Sequence, residues 1–432
     1  MQHRRPSTGI RAFIELHSST LIGQGITLGM GILTGVLSAR LLGPVGRGEY
    51  AAIIIWPTAI VTLIALGINQ TIAFNIGRRV LTVSEVATAA AVIGLVQCVL
   101  SVGLGLLVVS FALAKYSPAV RHLGIIFVLF TPAFILCGFP ANLFQGLPDL
   151  FRFNLIRVIA PFTYSAGLVG LYIAHRGSLD SVIFWQLFGY VAALAVGSAM
   201  VWRLLRPRLQ WNRTAIPLLL DYGYRTQATN LTNYFNQRID QLILSLFVPP
   251  QQLGFYAVAV TLSLAVTVFP QAAGIVTFSK GSSQHSEGAK ATIGTSFRAS
   301  LIWLLVCCGA LYAFAPLLIR LVFGAAFDGS ILACRILLPG AVMIGLNQVL
   351  YNGASALGRP GLPSCAEGIG MAVTAVGLYL LVPRYGYIGA AIVSSIAYSV
   401  SFLVMLILAH SLLGLSLRDL LVAERGHGEV GP

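Results

Sequence analysis

Twelve stretches of twenty or more mostly apolar residues follow one another along this chain, joined by short polar connections. They lie near residues 18–39, 50–74, 86–114, 123–145, 154–174, 181–202, 225–247, 252–279, 296–321, 331–357, 363–382 and 387–413. A spanning helix takes about 20 apolar residues, and within hydrocarbon only helices or closed barrels satisfy the backbone. The runs are continuous rather than alternating, which excludes a barrel. Charged residues are 9% of the chain and hydrophobic ones 57%, against about 25% charged in an average soluble domain. Such a chain lacks the polar surface to face water all round. The reading is an all-α polytopic membrane protein of about twelve transmembrane helices, with no connection long enough to hold a soluble domain. The seventh stretch is the least hydrophobic, and a simple hydropathy window would pass over it.

The basic N-terminus, MQHRRPSTGIRAF, precedes an apolar stretch as in a signal peptide. That stretch is too long for such a peptide and carries no evident cleavage site, so an uncleaved first span is expected. The six cysteines lie in or beside apolar spans, with neither a disulfide framework nor metal-ligand spacing. Placing both termini and the even-numbered loops on one side puts 18 of the 27 Lys and Arg residues there. That bias predicts a multi-pass inner-membrane protein with cytoplasmic termini. The net charge of +14 is then mainly a topology signal and an attraction to anionic membrane lipid. No basic patch interleaved with aromatics supports a nucleic-acid partner.

The two halves of the chain echo one another. Pro44, Gly48, Tyr50 and Ala51 recur 206 positions later as Pro250, Gly254, Tyr256 and Ala257. Pro132, Gly146 and Arg152 recur 207 positions later as Pro339, Gly353 and Arg359, and Gly170-Leu171-Tyr172 returns as Gly377-Leu378-Tyr379. A repeat of six spans keeps its orientation in the membrane, so the halves form two lobes related by an axis along the membrane normal. The expected organisation is a lobe at 1–202, a basic linker at 203–224 and a second lobe with a short tail at 225–432. Such a plan encloses a cavity that rocking opens to alternate sides.

The seventh helix carries the most informative chemistry. At 100° per residue, Thr226, Asn230, Asn233, Tyr234, Gln237, Asp240 and Gln241 fall on one face. So polar a face is costly against lipid and should line a wet cavity, with helix–helix hydrogen bonding as the alternative. Asp240 and Arg238 are charges within this predicted span. Asp240 is the candidate group for coupling transport to protons or sodium ions; the alternatives are a place in water at the helix end, or a pair with Arg238. Arg40, Arg47, Arg238 and Arg335 are candidates to hold a pyrophosphate, because a guanidinium matches phosphate in a fork. Snorkelling at helix ends is the competing reading. Asn69, Gln70, Asn347 and Gln348, with Asn230, Asn233 and Gln237, are amides able to hydrogen-bond sugar hydroxyls. Pro57, Pro132, Pro270 and Pro339 mark expected kinks. No Ser-His-Asp, paired-carboxylate or metal constellation stands out, so neither an enzyme nor a cofactor is expected. Gly77-Arg78-Arg79 is similar to a loop motif of major facilitator transporters, but the glycine and aspartate that precede it there are absent.

Four segments carry a broader likeness: ARLLGPVGRGEYAAI, RIDQLILSLFVPPQQLGFYAVAVTLS, ALGRPGLP and VPRYGYIGAAIVSSIAYS. In order and spacing they resemble the polysaccharide transporter family, the O-antigen and exopolysaccharide flippases of the multidrug/oligosaccharidyl-lipid/polysaccharide exporter superfamily. The resemblance implies a two-lobe fold similar to the MATE exporters. It also implies a substrate, an undecaprenyl-pyrophosphate-linked oligosaccharide moved from the cytoplasmic to the periplasmic leaflet. A polysaccharide polymerase and glycosyltransferases are the partners it suggests. Because the chain ends soon after the twelfth span, the two extra helices of the lipid II flippase branch are not expected. The rival is a cation-coupled MATE-type drug exporter, which would want an acidic cavity; this chain has 13 acids against 27 bases.

Overall fold

The computed structural model describes residues 10–282, 286–359 and 361–422, and the regular elements among them are helices. In chain order these are α1 (Ile10–Ile64), α2 (Ile68–Gly77), α3 (Val83–Ala112), α4 (Pro118–Leu129), α5 (Thr131–Leu136), α6 (Gly138–Gly146), α7 (Leu150–Ile173) and α8 (Leu179–Leu204). Then come α9 (Ala215–Phe247), α10 (Pro250–Ala265), α11 (Val268–Gly281), α12 (Ser286–Val322), α13 (Ser330–Ala356), α14 (Gly361–Leu413) and α15 (Leu417–Leu421). Among the described residues seven helices are long and apolar enough to cross a bilayer, or nine if each of two bent pairs counts as one span. The polar α9 is not among them.

Helix starts follow local chemistry. Thr82 and Glu85 form a reciprocal capping box before α3, and Ser178 with Ser181 does the same before α8. Ser117 followed by Pro118 starts α4. Glycine permits the sharp bends: α1 turns at Gly43 (φ 65°) and α14 at Gly386 (φ 56°), each joining two helices end to end. The 53 residues of α14 would measure about 80 Å if straight, far beyond a hydrocarbon core of about 30 Å.

Three expected helices are interrupted. The run expected at 50–74 stops at Ile64 because Leu66 (φ 48°) and Gly67 (φ 60°) take left-handed backbone, which ends the hydrogen-bond ladder. The run at 123–145 bends by 41° beside Phe130, and that at 252–279 by 47° at Val266 and Thr267. Pro132 and Pro270 lie just beyond these two bends, whereas Pro57 and Pro339 sit in uninterrupted helix.

A break at membrane depth frees backbone groups that lipid cannot satisfy. Side chains satisfy them here. Gln97 Nε2, from α3, donates to the carbonyls of Ile64 (3.0 Å) and Ala65 (2.9 Å). Gln227 Oε1 accepts from Gly67 N–H at 2.9 Å, while its Nε2 donates to the Thr62 carbonyl. At the Val266–Thr267 break Trp303 Nε1, from α12, donates to the Val266 carbonyl at 3.0 Å.

The chain divides into two compact units, Met1–Leu42 with Ala52–Leu231, and Gly43–Ala51 with Thr232–Pro432. In the first, α2, α3, α6 and α7 pack around Ile72, Val86, Phe144 and Ile156, and Leu219 of α9 joins that core. In the second, α13 is the hub, contacting α10, α11, α12 and α14. The segment Gly43–Ala51 belongs to this second unit through a reciprocal approach of backbones. A Cβ on Gly48 would lie 1.7 Å from the Pro250 carbonyl oxygen, and one on Gly254 would lie 2.0 Å from that of Pro44. Each glycine therefore touches the repeat counterpart of its own neighbouring proline.

Candidate functional site

Asp240 is buried at 3% exposure within the second unit. Helix α9 places it, α10 brings Tyr256 and α14 brings Ser394. The Tyr256 hydroxyl donates to Asp240 Oδ2, the Gln241 backbone N–H donates to Oδ1 at 2.6 Å, and Ser394 Oγ donates to Oδ2 at 3.4 Å. Tyr256 and Ser394 also meet directly at 3.1 Å. Among the described residues no ion pair joins Asp240 to Arg238, whose exposed side chain donates to Gln241 Oε1 at 3.2 Å. Asp240 is out of water, and Arg238 acts on it through its charge rather than by direct contact. The groups that hydrogen-bond it are neutral donors.

Close by in sequence, Gln237 meets Asn347 and Gln348 of α13 around a small pocket of about 30 Å³, shared with Tyr351, Glu367 and Ser401. That space suits one water-sized group. Asn347 Nδ2 lies 3.5 Å from Ser401 Oγ, and Tyr351 hydroxyl 3.0 Å from the same oxygen. The Asn347 Oδ1 atom is buried and has no hydrogen-bond partner among the described residues. Amide, hydroxyl and carboxylate groups converge here, a set able to bind a hydroxyl or a water.

The other candidates are placed separately. In the first unit Gln70 Nε2 lies 3.5 Å from Asn230 Oδ1, and Asn69 packs its amide against the open face of Gly138. Arg40 donates to the Tyr172 hydroxyl at 3.0 Å. In the second unit Arg47 lies over the Tyr50 ring at 5.1 Å. Arg335 stacks on Tyr312 at 5.0 Å and donates to its carbonyl at 3.1 Å. The side chain of Asn233 lies outside the described ones. The stripe on α9 is not uniformly open: Asp240 and Gln241 are buried and Gln237 is exposed. Among the described residues no group of three His, Cys, Asp or Glu residues could hold a metal.

Sequence reading missed Tyr256, Ser394, Tyr351, Ser401, Gln97 and Gln227 as polar partners. Signals existed for three of them. Tyr256 is a repeat residue, Ser394 lies within VPRYGYIGAAIVSSIAYS, and Gln97 is the one amide in the apolar α3.

Comparison with known proteins places this geometry among others. The sequence model described as polysaccharide biosynthesis protein matches residues 17–281. A probable low-salt glycan biosynthesis flippase, Agl15 of Haloferax volcanii, is 21% identical over 252 residues, covering 57% of this chain and 52% of the relative. The chain spans about half the length of the curated relatives it matches. Among solved structures, the lipid II flippase MurJ in an inward closed conformation superposes with TM-score 0.75 at 17% identity, over 91% of this chain and 87% of that one. An inward-facing MATE-family multidrug transporter of the MOP superfamily gives TM-score 0.72 at 14% identity, over 90% and 94%. The fold is that of MurJ and the MATE transporters.

Proposed function

The chain belongs to the polysaccharide biosynthesis protein family, and from that premise we propose that it flips an undecaprenyl-pyrophosphate-linked oligosaccharide from the cytoplasmic to the periplasmic leaflet by alternating access. A membrane transporter of lipid-linked glycan in the MOP superfamily is the coarser statement, and the family match over residues 17–281 carries it. Relatives named for an activity are flippases and transporters rather than enzymes.

The finer reading has its own support. Twelve crossings are consistent with the nine apolar spans among the described residues, if those of α1 and α14, each bent at a glycine, cross twice and α9 crosses once. An even number puts both termini on one side, and the Lys and Arg bias makes that side the cytoplasm of an inner membrane. The repeat supports a 1–202 lobe, a 203–224 linker and a 225–432 lobe that rock against each other. Arg40, Arg47, Arg238 and Arg335 supply guanidinium forks for pyrophosphate. Asn69, Gln70, Asn230, Asn233, Gln237, Asn347 and Gln348 supply amides for the glycan. Asp240 couples the cycle: one bound proton or sodium ion would neutralise a buried carboxylate whose direct hydrogen-bond donors are neutral. Glycosyltransferases that build the glycan and a polymerase that extends it are the expected partners.

Deleting the gene tests the reading. The expected result is loss of surface polysaccharide with lipid-linked repeat units retained on the cytoplasmic leaflet. A mutant that keeps its polysaccharide but becomes sensitive to cationic dyes would instead establish the multidrug exporter.

A further inference from the structure

A different site stands where α8 gives way to the connection with α9. Trp202, Arg203, Arg206, Pro207 and Arg208 enclose a groove of about 460 Å³, within the size range of small-ligand pockets. The three guanidiniums are exposed, and none forms an ion pair among the described residues. Of the acids on the flanking segments, Asp221 pairs with Arg225, and Glu85 keeps its charge while accepting from neutral Thr82 and Asn212. Three like charges thus line one hollow, and no acid is among its lining residues.

The hollow is also built on a fixed frame. After α8 the chain turns at Arg206, whose φ of 43° is a setting that glycine takes more easily. The connection then lies along the start of α3. Arg208 N–H donates to Ser84 Oγ at 3.2 Å, Gln210 N–H to Thr88 Oγ1 at 3.0 Å, and Asn212 Nδ2 to Glu85 Oε1 at 2.7 Å. Trp202 is 73% exposed, Leu209 94% and Trp211 62%, at the end of an apolar span, where indoles settle at headgroup level.

We propose that this groove binds the phosphate of an anionic membrane phospholipid. Guanidinium forks suit a phosphate oxyanion, and each basic side chain near the surface adds to the attraction. A free phosphate or pyrophosphate shares that chemistry; the exposed indoles and Leu209 beside the groove favour the lipid. A phosphocholine headgroup carries its own cation and binds less well. This site is separate from the translocation reading, and either can fail alone.

Native mass spectrometry of the full-length protein, equilibrated with equal phosphatidylglycerol and phosphatidylcholine, reads the preference directly. Retention of phosphatidylglycerol is expected to exceed that of phosphatidylcholine by roughly tenfold or more. In the variant R203Q/R206Q/R208Q the ratio should approach one, and in R203K/R206K/R208K most of it should remain. Arg206→Gln alone, expected to lower the ratio about fivefold, keeps the test decisive if the triple variant does not fold. Equal retention of the two lipids by the native protein, or an unchanged ratio in the glutamine variants, overturns the proposal. So does inorganic pyrophosphate binding the lipid-free protein in an arginine-dependent way while phosphatidylglycerol shows no preference.

Discussion

Gln97 and Trp303 stand 206 positions apart, and each donates a side-chain hydrogen bond to a carbonyl at a break in the preceding helix. The spacing is that of Gly48 and Gly254, so the two residues hold equivalent places in the two halves. The side chains differ but the service is the same: an N–H delivered where the helical ladder has stopped. An open carbonyl in hydrocarbon costs several kcal/mol. A bend kept at both places therefore requires a donor at both.

Replacing Gln97 by Leu removes the donor to two carbonyls and is expected to destabilise the protein by about 1–3 kcal/mol. Trp303→Phe keeps the ring and loses one hydrogen bond, for about 1 kcal/mol. Thermal unfolding in detergent measures both. Equal midpoints for Gln97→Leu and the native protein would show the break is held by other means.

Gly48→Ala and Gly254→Ala each drive a methyl into backbone, 1.7 Å and 2.0 Å from a carbonyl oxygen. Neither contact is the end of a flexible side chain. Each substitution should cost about 3 kcal/mol or more and sharply reduce the folded yield. Gly309→Ala in α12, with nothing within 4 Å, is the control and should be neutral or slightly stabilising. Membrane expression followed by size-exclusion chromatography reads all three.

Asp240→Asn keeps the shape of the side chain and removes its charge. Folding should survive, while flux in proteoliposomes should no longer respond to an imposed proton or sodium gradient. Asp240→Ala leaves Tyr256 and Ser394 without their acceptor and should also cost about 1–3 kcal/mol. Gradient-driven flux at native levels in Asp240→Asn would exclude this residue from coupling.

Arg238 is exposed and donates to Gln241, so Arg238→Ala should lower stability by only about 0.5 kcal/mol. Complementation of a deletion strain is nevertheless expected to be lost at normal expression. Unchanged polymer levels would take Arg238 off the set of pyrophosphate ligands.

Beyond the end of the α12 span, the Asp328 carboxyl accepts from Arg320 Nε at 2.9 Å and Nη2 at 2.8 Å, which holds it below its ordinary value. A lowered folded-state pKa contributes stability above the unfolded value of about 4, and that contribution is lost as pH falls through the folded one. Asp328→Asn should remove this part of the acid destabilisation, seen as a shallower fall of the melting midpoint below about pH 4. An identical acid limb in the variant would refute the assignment.

Composition and run length made the helical membrane fold legible, and the fixed spacing of Pro, Gly and Tyr made the repeat legible. The breaks were hidden because Leu66 and Gly67 look like ordinary members of an apolar run. Their left-handed backbone depends on Gln97 and Gln227, more than 30 and about 160 positions away. Periodicity put Asp240 and Gln237 on one face but could not show that one is buried and the other exposed. That difference comes from Tyr256 and Ser394, supplied by two other helices.

The seat of Gly43–Ala51 has a consequence for biosynthesis. This nine-residue stretch is made early, yet the proline and glycine it fits against are encoded some 200 codons downstream. Its contacts cannot form until α10 has been made. A gene divided between the two halves should therefore yield stable protein only when both fragments are produced in the same cell.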